Sequence, residues 1–283
     1  MPSGGSPSFQ RFQLGKQLRA LREAAGLTTE EVGAHLHCSA STVSRIEGGR
    51  VGVRRGVLVL LIDLYRVKSA EHRKTLLALG QQGKQRGWFA RYGDLPESYS
   101  RFIGLESAAT EMRDYEALVV PGLLQIEEYH RALMLARWPD YSDQAIESRI
   151  RIRAERQGLL MSPDPLRFFA VLDESVIRRK IGGPDTMRAQ LKYLVELSNQ
   201  RNVTIQVLPF SGGAYAGMAG SFALLTFEDT PSVVYAESLT GDIYQDSDDV
   251  SRYGLVFENL RAAALSPLES IKMIDAAAGE SVA

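Results

Sequence analysis

Through the first ninety residues, apolar side chains recur three and four positions apart. Leu14, Leu18, Leu21 and Ala25 make one stripe, with Arg11, Lys16, Arg19 and Arg22 on other faces, so a helix is expected from Leu14 to Ala25. From Leu27 to Arg50 the pattern breaks into two short pieces. Val32 and Leu36 lie one turn apart in the first, Val43 and Ile46 lie three apart in the second, and Ala34 and Ala40 are small enough for close approach. Thr28 or Thr29 caps the first piece, Ser39 caps the second, and Gly48-Gly49 ends it. A helix with Val57, Leu60, Leu61, Leu64 and Tyr65 follows, then a short one from Ala70 to Leu79. Gly80 to Gly87 has three glycines and no apolar period, and reads as a linker between residues 1–79 and 88–283.

Past the linker, Trp88, Phe89 and Tyr92 read as aromatics that dock the chain onto the next domain. Helical spacing then covers Pro96 to Tyr115, Pro121 to Ala136, and a long helix capped by Ser142 or Asp143 that holds Ile146, Ile150 and Leu160. Beyond Pro165 the period changes to short β-branched or aromatic runs, Arg167 to Leu172, Val203 to Leu208, Ser221 to Phe227 and Ser232 to Ala236, hence strands. Helices punctuate them at Glu174 to Lys180, Pro184 to Gln200, Ser247 to Leu265, and after Ser266, with Pro267 first and Glu269 third. The fold class expected is an all-α helix-turn-helix domain followed by a larger α+β domain. Its sheet is expected to be mainly antiparallel, because the last three strands are joined by connections too short for crossover helices.

The two capped pieces around Ser39 form a helix-turn-helix; an αα-hairpin of no special function is the competing reading. Outward on the second helix lie Ala40, Ser41, Thr42, Ser44 and Arg45, short hydrogen-bonding side chains plus one forked donor, a set that fits the major groove of DNA. Charge favours DNA. Residues 1–90 carry 14 Lys/Arg against 6 Asp/Glu, and residues 91–283 carry 19 against 28, so a net charge of −1 hides a basic head and an acidic body. Arg50, Arg54 and Arg55 are close enough along the chain to meet phosphate.

These residues resemble the phage-repressor-like, or XRE-type, regulators, whose signature ends in the run Ser44-Arg45-Ile46-Glu47-Gly48-Gly49-Arg50. The resemblance implies that Thr29 grips the DNA backbone, that Ala40, Ser41 and Arg45 touch base edges, and that Thr42 or Ser44 meets phosphate or base. Where that family usually has glutamines, this chain has Thr29, Ala40 and Ser41.

Chemistry is sparse elsewhere. Cys38 is the only cysteine, so no intramolecular disulfide is possible, and in the turn it reads as a small apolar residue. No apolar run approaches the ~20 residues of a membrane span. The segment from Met1 to Ser8 reads as a flexible tail on a cytoplasmic protein. The stretch Gly212 to Gly220, with Tyr215 and Met218, is the best candidate for a ligand or partner loop; it joins two strands, which favours a flap or hairpin loop over a phosphate cradle. Asp173-Glu174 reads as an acidic helix start rather than a catalytic pair. Arg149, Arg151, Arg153 and Arg156 offer a second nucleic-acid surface, but Glu147 and Glu155 are interleaved and a solvated face is favoured. His35 and His37 are spaced by two, wrong for one helix face, and His72 and His130 lie apart, so no metal site, cofactor or catalytic residue is expected.

The body brings a second resemblance. Glu106-Ser107-Ala108-Ala109, Val120-Pro121-Gly122-Leu123-Leu124-Gln125, Arg153-Ala154-Glu155-Arg156-Gln157, Leu172-Asp173-Glu174, Val207-Leu208-Pro209-Phe210 and Val234-Tyr235-Ala236-Glu237 are similar to actinobacterial XRE regulators with an uncharacterised C-terminal domain, a WhiJ-like family. That resemblance implies a transcription factor encoded beside a small partner protein, an arrangement likened to antitoxin and toxin. The expectation is therefore a dimeric repressor of a double-stranded DNA operator whose body binds a small partner protein. A regulator sensing a small molecule in its body is the rival, and an enzyme fused to a DNA anchor the third reading.

Overall fold

A computed structural model describes residues 6–85, 87–93, 95–236, 243–245 and 247–280. Met1 to Gly5 of the expected tail, Arg86 of the expected linker and Glu237 lie outside the described residues. The chain divides into two compact units, the first ending at Ala108 and the second beginning at Ala109.

The first unit is helical: α1 (Pro7–Ala24), α2 (Thr29–His35), α3 (Ala40–Glu47), α4 (Arg55–Leu64), α5 (Ala70–Gln82) and α6 (Glu97–Glu106), with a 3-10 turn at Trp88–Tyr92. The apolar stripe of α1 buries Leu14 and Leu18 against Val32, Val43, Ile46, Leu58, Leu61 and Leu76. Two expectations change here. The helix begins at Pro7 rather than Leu14, because Ser6 caps it by accepting from the Phe9 N–H and proline suits a first turn. Gly80, Gln81 and Gln82 continue α5 rather than start a linker, with Gly80 buried beside Leu58. Trp88, Phe89 and Tyr92 stay within this unit, with Trp88 edge-on to each of the other two rings and the Arg91 guanidinium over Trp88 and Tyr92. α6 also belongs to it: the Ser6 hydroxyl donates to the Gly104 carbonyl, and Arg101 reaches the end of α3.

The second unit is α+β. Its elements are β1 (Glu111–Glu116), α7 (Glu127–Arg137), α8 (Asp143–Gln157), β2 (Arg167–Asp173), α9 (Glu174–Arg178), α10 (Pro184–Leu197), β3 (Val203–Leu208), β4 (Phe222–Thr226), β5 (Val233–Ala236), β6 (Ile243–Gln245), α11 (Ser247–Ala263) and α12 (Pro267–Glu280). The strands lie in the order β3-β2-β1-β4-β5-β6. β1, β2 and β3 are parallel neighbours joined through helices, while β4, β5 and β6 add on antiparallel.

The sheet is therefore mixed, and the expected mainly antiparallel sheet is corrected. The reason is β1. The expected helix from Pro96 to Tyr115 ends at Glu106, and Glu111 to Glu116 forms the central strand, with β2 on one side and β4 on the other. β3 consequently lies three strands from β4 and does not pair with it. β2 reads Phe168 to Leu172 and is mostly buried, as suits a strand covered on both faces. α11 packs Phe257 and Leu260 onto Tyr115, Val171, Leu208, Phe222, Leu224 and Val234. α12 is tied to β3 by the Ser270 hydroxyl, which accepts from the Val207 N–H at 2.9 Å.

Candidate nucleic-acid interface

The geometry of the helix-turn-helix follows from its caps. Thr28 accepts from the Glu31 N–H at 3.2 Å, and the Glu31 carboxylate takes the Thr28 N–H at 2.8 Å, a reciprocal pair that fixes the start of α2. The turn passes through His37 at φ 53. Gly33 is required there, because a Cβ would lie 2.7 Å from the Cys38 carbonyl oxygen. Ser39 then accepts from the Thr42 N–H at 3.1 Å and starts α3. Gly49, at φ +65, turns the chain away where a Cβ would meet the Phe12 backbone at 2.7 Å.

Two arginines hold α3 in place, and neither was singled out by its sequence pattern. Arg22 of α1 donates from Nε to Glu47 Oε1 at 2.7 Å and from Nη2 to Oε2 at 3.0 Å, while its Nη1 donates to the Leu27 carbonyl at 2.8 Å. The two side chains are 11% and 6% exposed, so this is a buried forked ion pair. Hydrogen bonding to Glu47 raises the Arg22 pKa above its ordinary value despite burial. The expectation that Arg22 points away from the core is corrected. Arg11 likewise turns inward, donating to the Gly83 carbonyl at 2.7 Å and to Ser8 at 3.0 Å. Arg101 donates to the Gly48 carbonyl at 2.7 Å, placing a cation at the C-terminal end of α3.

With α3 fixed from behind, Ser41, Ser44 and Arg45 stand exposed three and four residues apart, on one face. Ala40 is half-buried beside them. Thr42 turns back, its hydroxyl 3.0 Å from that of Ser39. Arg50, Arg54 and Arg55 are exposed. The Thr29 hydroxyl donates to the Glu30 carboxylate at 3.1 Å, so its proton is already engaged.

In the second unit the glycine-rich loop from Gly212 to Gly220 is not a hairpin, because β3 and β4 are not neighbours. It crosses above the ends of β2 and β1. Tyr215 pins it by donating to Asp173, and Tyr115 donates to the Tyr215 hydroxyl at 3.2 Å. Burial pushes both tyrosine pKa values up, and the bond with Asp173 adds to the rise at Tyr215, so both remain protonated donors. Asp173 also caps α9 through the Ser175 N–H at 2.8 Å, and Glu174 accepts from the Phe210 N–H at 2.8 Å and from Arg178 at 3.0 Å. Both carboxylates are thus spent on position, as an acidic helix start requires. Met218, Phe210 and Leu118 are 70%, 60% and 63% exposed at this end of the sheet.

The arginines of α8 depart from the expected solvated face. Arg156 is buried, Arg149 and Arg153 are half-buried, and only Arg151 of the four is exposed. Arg153 donates to the Gly122 carbonyl. Arg149, Arg153 and Arg156 lie near His130, which is 8% exposed. Burial, then the charges of Arg153, Arg156, Arg149 and Arg131, holds the His130 pKa at about 2. Among the described residues no group of three or more His, Cys, Asp or Glu is arranged to hold a metal, and no helix is long and apolar enough to cross a membrane.

The comparisons with known proteins meet this geometry. A family model described as a helix-turn-helix domain matches residues 13–76, which makes the chain, by class, a DNA-binding regulator of the helix-turn-helix type. A model described as a domain of unknown function (DUF5753) matches residues 99–276, more than half of the chain, and the protein belongs to that family. No curated protein and no solved structure matches it.

Proposed function

We propose that the protein is a sequence-specific transcriptional regulator of the XRE type, WhiJ-like and dimeric, that represses from a double-stranded DNA operator and whose body binds a small, antitoxin-style partner protein. The observation that carries the DNA reading is the outward face of α3: Ser41, Ser44 and Arg45 stand free of the core while the Arg22–Glu47 fork and Arg101 immobilise the helix behind them. In this reading Arg45 reads a base, Ala40 and Ser41 contact base edges, Thr42, Ser44 and Thr29 support the contact, and Arg50, Arg54 and Arg55 meet phosphate. Exposed Phe210, Met218 and Leu118 favour a polypeptide over a metabolite at the body, since Tyr215, the polar group of that loop, is already bonded to Asp173.

The test is a pair of substitutions. Arg45→Ala is expected to cost about 1–3 kcal/mol on the cognate site and relax preference at one base position. Arg54→Ala is expected to weaken all sequences alike and lower the salt slope by about one unit. Equal loss on cognate and random DNA for Arg45→Ala refutes its role. Two half-sites about 34 Å apart, or a multiple of that, are expected in the footprint. The body is proposed to have no turnover, so Glu174→Gln is expected to change stability and no reaction.

A further inference from the structure

The groove between α4 and α5 belongs to neither the face of α3 nor the body. It has a volume of about 470 Å³ and is lined by Arg55, Ala70, Arg73, Lys74, Leu77, Ala78 and Gln81. Its chemistry is divided. Leu77, Ala70 and Ala78 make an apolar floor. Three cations edge it, of which Arg73 is held by Asp63 at 2.6 Å, while Arg55 and Lys74 have no ion-pair partner among the described residues. A DNA backbone calls for the cations and has no use for the floor. A second copy of the groove would bring like charges together. An amphipathic polypeptide with acidic and apolar faces satisfies both halves at once.

We infer that this groove seats an acidic amphipathic segment of the partner protein, and that the seated segment competes with DNA for Arg55. The inference rests on the partner reading given above and supplies what that reading lacks, a physical means by which a bound partner loosens the operator. The acidic segment substitutes for phosphate at Arg55, and its apolar stripe lies on Leu77 and Ala78. Binding of the segment and of DNA is then mutually weakening, by linkage.

The experiment uses the full chain and a labelled synthetic helix of about 16 residues, with glutamates on one face and a leucine stripe on the other. Controls replace the glutamates by glutamine or the leucines by alanine. Each control is expected to bind about tenfold more weakly, as is the original peptide to Lys74→Glu. Ala78→Trp fills the groove without changing charge at an exposed position, so the fold is kept. It is expected to weaken the peptide about tenfold while affinity for a DNA duplex stays within about twofold. Saturating peptide is expected to raise the apparent Kd for the duplex. Peptide binding indifferent to Ala78→Trp, or a duplex affinity that falls with Ala78→Trp as far as the peptide's, overturns the inference; the second result makes the groove a DNA surface. Peptide binding that obeys the groove substitutions but leaves the duplex Kd unchanged at saturation, or a protein that binds no duplex at all, overturns the competition at Arg55 and with it the inference.

Discussion

The two units bury charge in opposite ways. In the first, Arg22 and Glu47 go inside together as a forked pair joining α1 to the end of α3, so the charges persist and fix a distance. In the second, His130 is buried among Arg131, Arg149, Arg153 and Arg156, where only its neutral form is tolerated. The lesson concerns what each arrangement responds to. A paired buried charge resists protons and fails when a partner is removed; a group held neutral among cations survives until the solution is acid enough to charge it in the unfolded chain.

The largest effect that tests this contrast is Arg22→Ala. It leaves Glu47 buried without its counter-ion and is expected to cost about 3–5 kcal/mol by chemical denaturation. A loss below about 1 kcal/mol would place the pair with surface bridges instead. Next comes acid. Above its unfolded pKa of about 6.5 His130 is neutral in both states and contributes nothing to the pH dependence; below it the unfolded chain takes a proton that the folded one refuses down to about 2. Stability should therefore fall by up to about 1.4 kcal/mol per pH unit as the pH drops below about 6.5, and His130→Gln should flatten that slope. An unchanged slope rules out His130 as its source. Smaller again, Tyr215→Phe removes the donor to Asp173 and is expected to cost about 1.5 kcal/mol and to speed proteolysis within residues 209–220. Smallest is Thr28→Ala, which opens the reciprocal cap of α2 for about 1 kcal/mol.

How much of this was legible in the sequence depends on whether local chemistry decided the outcome. Thr28 and Ser39 act through neighbours within a few residues and Gly49 through its own positive φ, so the helix-turn-helix could be read directly, as could the reciprocal cap at Ser266 and Glu269. Of the residues that its period puts outward on α3, Ser41, Ser44 and Arg45 are exposed, while Ala40 is half-buried and Thr42 turns back to Ser39. β1 was not legible, because Glu-Met-Arg-Asp-Tyr-Glu has neither alternation nor β-branched residues. Its burial is made tolerable by partners distant in sequence: Arg167 on Glu111 at 2.9 Å, and ladders on both edges. Arg22 and the α8 arginines misled for a related reason, since a guanidinium at helical spacing among acids looks solvated until the carbonyl or carboxylate it reaches is known. The loop before β4 reads as a flap or hairpin loop while β1 is unseen; with β1 between β2 and β4, the strands it joins are not neighbours.

That central strand has a consequence for how the chain comes off the ribosome. The helices of the first unit find their partners mostly within about a hundred residues and can close early, whereas β1 ends at Glu116 and its second neighbour, β4, does not begin until Phe222. For the whole of that interval one edge of β1 waits with unsatisfied N–H and C=O groups, the situation in which nascent chains pair with each other. An apolar strand left waiting there would invite aggregation. Glu111, Asp114 and Glu116 outnumber Arg113 and give this one a net negative charge against its own copies, so the composition that hid the strand from view also disfavours self-pairing during synthesis.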